Sequence, residues 1–159
     1  MSLATVYARA RVGINAPLVS VETHLSNGLP SLTIVGLPEA AVKESKDRVR
    51  SALINSNFEF PTRRITINLA PADLPKEGGR FDLAIALGVL SASGQLPNTD
   101  FEKYECIGEL ALTGAIRKVD GVIPSALAAQ SANRILMLPE FNREEASLSK
   151  CEALCADHL

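Results

Sequence analysis

Asn68-Leu69-Ala70-Pro71-Ala72-Asp73-Leu74-Pro75-Lys76-Glu77-Gly78-Gly79-Arg80-Phe81-Asp82-Leu83-Ala84-Ile85-Ala86-Leu87-Gly88 runs from the end of a strand, through a Pro- and Gly-rich polar loop, into a segment apolar on almost every side. A helix with no polar face is one that other elements surround, so the helix expected over residues 79–93 belongs at the centre of the fold. The loop before it has the make-up of an anion site. Its glycines let the backbone bend sharply, and the first N–H groups of the helix and its positive dipole end face the same way. With two cations beside them, Lys76, Gly78, Gly79 and Arg80 form the candidate anion- or DNA-binding set. The plainer reading is a tight strand-to-helix turn, with Lys76 and Arg80 solvated and Asp82 capping the helix.

Upstream, residues 3–12 form a β-rich segment. Residues 18–26 alternate, with Val19, Val21, Thr23 and Leu25 on one face and Ser20, Glu22, His24 and Ser26 on the other, which is a half-buried strand. Asn27-Gly28 turns the chain into a third strand over residues 31–35, so the first part reads as an antiparallel meander. His24 falls on the polar face as a surface histidine. Pro38 and Glu39 open a helix that runs to about Asn55, burying Ala41, Val42, Ser45, Val49, Ala52 and Leu53. Lys43–Asp47 and Glu44–Arg48 are opposite charges at i,i+4 on its wet side. A strand follows over residues 63–69, with Ile65 and Ile67 inward.

Downstream, strands are expected over residues 104–112, 115–119, 135–138 and 152–156, with helices over 122–133 and 142–147. An antiparallel first half followed by alternating strands and helices is an α+β pattern, not a doubly wound sheet. The expected architecture is a single two-layer sandwich over residues 1–159, a mixed sheet with its helices on one face. No repeat or low-complexity linker interrupts it.

The 159 residues, 47% hydrophobic and of net charge −2, describe a globular domain able to bury roughly 70% of its unfolded surface. That charge gives no overall pull toward nucleic acid, so contact with a polyanion needs a local patch. With 4% aromatic residues and no Trp, stacking platforms are scarce. The start has no signal-peptide pattern, and the most apolar run, Phe81 to Leu90, is about half a bilayer span, so a cytoplasmic protein with no membrane partner is expected. Cys106, Cys151 and Cys155 are odd in number and irregular in spacing, which fits a reducing compartment. Cys151, Cys155 and His158 lack a fourth ligand and match no common zinc spacing, so no metal is expected. No Gly-Lys-Ser, Gly-Lys-Thr or Gly-x-Gly-x-x-Gly element occurs.

The loop from Pro75 to Asp82 resembles the nucleophile loop of Lon-type peptidase domains, whose active members carry PKDGPSAG; the catalytic Ser falls on Arg80. A second stretch, Ile107 to Ala129, is similar to the Lon segment that holds the catalytic Lys and places it at Ile123. A Ser–Lys dyad needs a hydroxyl beside a desolvated lysine. By this resemblance both members are missing, and Ser125 with Lys118, or Ser91, are poor substitutes.

A closer resemblance covers essentially the whole chain. Gly28-Leu29-Pro30, Val35 to Glu39, Lys43 to Ser51, Ile65 to Asp82 and Gly108 to Gly114 are similar to the N-terminal Lon-like domain of the ComM/YifB family of bacterial Mg-chelatase-like AAA+ ATPases. The resemblance implies a non-catalytic domain of a DNA-processing motor, with branch migration in natural transformation as the ComM-type role. It implies a homo-oligomeric ring in the full-length protein. ATP and Mg are expected only in a downstream AAA+ module, with no cofactor in this segment, which is expected to be an N-terminal piece of a longer chain. DNA is the implied partner, reached by Lys76 and Arg80, with Lys43, Lys46, Arg50, Arg63 and Arg64 extending a basic strip. The alternative is an inert cap for ring assembly or partner docking. The DNA repair protein RadA, with its own inactive Lon-like domain, is a weaker match.

Overall fold

The computed structural model describes residues 2–97 and 99–159. In chain order the main elements are β1 (Leu3–Arg9), β2 (Leu18–Ser26), β3 (Ser31–Val35), α1 (Ala40–Lys43), α2 (Ser45–Asn55), β4 (Arg64–Ala70) and α3 (Asp82–Ala92). Then come β5 (Tyr104–Cys106), β6 (Glu109–Leu110), β7 (Ile116–Arg117), α4 (Val122–Ser131), β8 (Ile135–Pro139), α5 (Arg143–Ala146) and β9 (Ala153–Ala156). Seven strands make one mixed sheet in the order β3-β4-β2-β1-β5-β8-β9, while β6 and β7 form a separate small hairpin. The class is α+β, as the pattern of elements predicts.

β1 and β2 pair antiparallel, as the alternation predicts, and β4 continues antiparallel on the far side of β2. β3 does not complete a meander. It lies beyond β4 and parallel to it, so β3, the α1–α2 pair and β4 form a crossover unit. The reason is in the side chains of β4. Ile65 and Ile67 face Leu25 and Thr23 on one side and Leu32 and Ile34 on the other, all toward one core. β5, β8 and β9 add parallel strands to the other edge.

The helices do not share one face. α3 runs across β1 and β2 on the face of Val6, Ala8, Val19 and Val21, with α2 beside it. α4 packs on the opposite face of the β5–β8 end, where Ile107, Leu136 and Leu138 meet Val122, Ala126 and Ala129. Strand alternation explains the split: in β8, Leu136 and Leu138 point to α4 while Met137 points to the α3 side. The helices therefore cover one face of the sheet at the β1–β2 end and the other face at the β5–β8 end.

Two expected continuous elements are interrupted. The first helix breaks at Glu44, which separates α1 from α2. Lys43 then leaves the helix that carries Asp47 and forms no ion pair with it, whereas Glu44 lies 3.6 Å from Arg48. The strand expected over 104–112 ends at Cys106 and resumes as β6, because Gly108 N–H and C=O bond to Arg80 and Leu83 at the mouth of α3.

Candidate functional site

Lys76 is fully buried. Its ammonium donates to the carbonyl of Gly36 at 2.5 Å and to that of Pro71, and its backbone pairs with Leu37 and Glu39. Burial holds its pKa below the usual lysine value, with Asp73 nearby acting the other way. The side chain ties the segment before α1 to the end of β4. Gly36 is required at that junction, because its φ is +104° and a Cβ there would strike the Leu69 carbonyl.

Arg80 is 7% exposed. Its guanidinium donates to the carbonyl of Arg9 at 2.9 Å, to that of Asp120 at 2.9 Å and to Ser125 Oγ at 2.7 Å. Burial, then the like charge of Arg11, brings its pKa down to about 10, so it stays charged at neutral pH. Asp82 does not cap α3. Its buried carboxylate accepts from Ser45 Oγ at 2.5 Å, Arg48 Nε at 2.7 Å and the Leu110 N–H at 3.1 Å, fastening α2, α3 and β6 together. That pairing raises the Arg48 pKa.

These positions correct both readings of the loop. Lys76 and Arg80 are neither solvated nor turned toward an outside phosphate; their donors meet acceptors of the chain itself. The Gly78 N–H donates to Glu39 Oε1 at 3.0 Å, so a carboxylate of the chain already sits at that donor. A Cβ at Gly79 would run into the Glu109 carboxylate. The cleft in front of the loop, about 540 Å³, carries Glu39, Glu77, Glu109 and Asp120 against Arg11, Lys118 and the edge of the Arg80 side chain. Four carboxylates there oppose an added anion.

The α4 residue that meets position 80 is Ser125, not Ile123. Position 80 and position 125 thus face each other as a nucleophile and its base would, but the pair is Arg80 and Ser125. A guanidinium has no lone pair to take a hydroxyl proton, so this pair cannot generate an alkoxide. Among the described residues Ser125 Oγ has Arg80 as its partner, and Lys118 makes no hydrogen bond to it.

The weaker candidates separate into two groups. Lys46, Arg50 and Arg63 line one groove of about 450 Å³ between α2 and the turn into β4, together with Asp47, Phe60 and Ser31. The Arg50 guanidinium lies over the Phe60 ring, 5.4 Å from its centre. Lys43 is exposed outside this groove. Arg64 points to the open face of the sheet, above Gly28. Among the described residues none of these five cations forms an ion pair.

Sequence reasoning missed a second buried cluster. Glu105, fully buried, accepts from Arg9 at 2.7 and 2.8 Å and from Arg134 at 3.2 Å, and Arg134 stacks on Tyr7. The signal was Arg9 in phase with Tyr7 on β1, on the face that α4 covers. Cys151 and Cys155 pack against the α4 core, while the His158 ring bonds the Thr113 carbonyl. No helix among the described residues is long and apolar enough to cross a membrane.

Residues 21–142 match the family described as subunit ChlI of Mg-chelatase. The chain is 61% identical to competence protein ComM of Haemophilus influenzae over 148 residues, 93% of this chain and 29% of that protein. It is 59% identical to YifB of Salmonella typhimurium over 160 aligned positions, 100% of this chain and 32% of that protein. A distant similarity, 24% over 149 positions, covers 86% of the chain and 26% of Lon protease 2 of Bacillus subtilis. The chain thus spans about a third of the length of its near relatives.

Proposed function

The chain belongs to the Mg-chelatase subunit ChlI family, as a ComM/YifB-type member, and from that premise we propose that it is a non-catalytic, Lon-like domain of a DNA-processing ATPase. In this reading it meets DNA phosphates through Lys46, Arg50 and Arg63. Lys43 and Arg64 contribute only to the long-range field. The observation that carries the proposal is the division among the cations. Lys76 and Arg80 are engaged inside the fold, whereas the three groove cations have no ion-pair partner among the described residues.

The Arg80–Ser125 pair supports the loss of peptidase chemistry, and the distant Lon similarity supports a Lon-like ancestry for the fold. ATP and Mg then bind another part of the full-length protein, which works as a homo-oligomeric ring. The three free cysteines suit a cytoplasmic setting. The role is ComM-type branch migration during natural transformation. An inert cap for ring assembly or docking is the second reading, and the inward turn of Lys76 and Arg80 favours it.

Full-length protein with Lys46, Arg50 and Arg63 all changed to Gln decides between them. DNA-dependent ATPase activity and branch migration should fall, while ATPase activity without DNA and ring assembly stay at wild-type levels. Unchanged branch migration supports the inert cap.

A further inference from the structure

From the groove beside α2 we infer that its ligand is a single strand with an unstacked base lying on Arg50, and not a duplex held by its phosphates alone. This rests on the reading that the groove meets DNA. The first ground is Phe60. One side of it packs on the main core, and the Arg50 guanidinium lies over it at 5.4 Å from the ring centre. The ring thus gives the exposed guanidinium a cation–π partner. A guanidinium plane is a stacking surface for a base, with a cation–π contribution.

The second ground is the groove's shape and charge. It is walled by α2 on one side and by the Pro30–Leu32 and Pro61–Arg63 segments on the other. Lys46, on α2, and Arg63, on the turn into β4, line opposite walls and give the groove positive charge on both sides. The Asp47 carboxylate in the same groove repels phosphate, yet it accepts from an exocyclic amine of a base. A duplex keeps its base faces stacked inward and offers this surface its backbone and groove edges, but no face to stack on Arg50.

The experiment uses this chain with an oligonucleotide carrying one 2-aminopurine, its duplex form, and inorganic polyphosphate as a probe of charge alone. Arg50→Lys keeps the charge and loses the plane, and Phe60→Leu removes the ring under it. Single strand should bind more tightly than duplex and quench the 2-aminopurine. Arg50→Lys should weaken single-strand binding about tenfold and reduce the quenching, with polyphosphate binding unchanged. Phe60→Leu, checked for wild-type melting, should do the same more weakly. Equal affinity of Arg50→Lys for the single strand overturns the stacking inference and leaves the phosphate reading standing. An equal loss toward polyphosphate makes the groove a charge site only and also overturns it. If wild-type protein binds no DNA in either form, both readings fall together.

Discussion

Replacing Arg80 by alanine should remove a strut and leave DNA binding intact. Three acceptors lose their donor: the buried carbonyl of Arg9, the buried hydroxyl of Ser125 and the carbonyl of Asp120 at the surface. Hydrogen bonds from a charged donor contribute about 1.5–3 kcal/mol each. Against this, the guanidinium is held from its usual 12.5 down to about 10, and keeping it charged costs about 3 kcal/mol. At 7% exposure, solvent screens that cost little. Alanine lifts the cost and loses the bonds, so the net destabilisation is about 1.5–6 kcal/mol. In a chain of this size that lowers Tm by about 3–24 °C. Thermal melting and urea unfolding read the stability, and a salt titration of DNA binding reads the contact. A wild-type Tm together with a salt slope reduced by about 0.9 would mean that Arg80 reaches out to a phosphate. That result refutes the assignment of Arg80 to the interior.

Ser125→Ala removes one of the three acceptors and should cost about 1–2 kcal/mol by urea unfolding; casein cleavage by the wild-type protein that Ser125→Ala abolishes would restore a peptidase. Lys76 should reveal its burial through pH. Its folded pKa lies below the usual 10.5, so the unfolded chain binds more protons in the window between the two values. Stability therefore gains as pH rises through that window, and wild type should improve relative to Lys76→Met from neutral pH toward 10.5. A flat difference in urea unfolding means the ammonium is solvated. Glu105→Ala leaves the Arg9 guanidinium buried without its carboxylate and should cost about 3–5 kcal/mol; a loss under about 1 kcal/mol by urea unfolding would show that the cluster relaxes into water.

The central helix, the β1–β2 hairpin and the α+β class were legible because period and polarity are local properties. Phe81 to Leu90 has no polar side, and α3 is indeed enclosed. The position of β3 was not legible: Asn27-Gly28 sets a turn, but only pairing across the fold puts β4 between β2 and β3. The split of the helices was hidden for the same reason, since Leu136 and Met137 reveal their opposite faces only when both have neighbours. At the candidate site, the direction of the side chains was not legible. Lys76 beside two glycines reads as a phosphate ligand, yet the carbonyls of Gly36 and Pro71 that capture it lie 40 and 5 residues away. Arg80 is drawn inward by acceptors 71, 40 and 45 residues distant. Lys46 and Arg63, on α2 and on the turn into β4, meet in one groove only after the crossover closes.

The division between interior and groove cations is tested most directly by the salt dependence of duplex binding in two variants of this chain. With Lys46 and Arg63 both changed to Gln, the slope of log K against log salt should fall by about 1.8, at about 0.9 for each phosphate that a cation no longer neutralises. Lys76→Met, in protein still folded at the assay temperature, should keep the wild-type slope. The opposite pattern, an unchanged slope in the groove variant and a reduced one in Lys76→Met, would contradict the account.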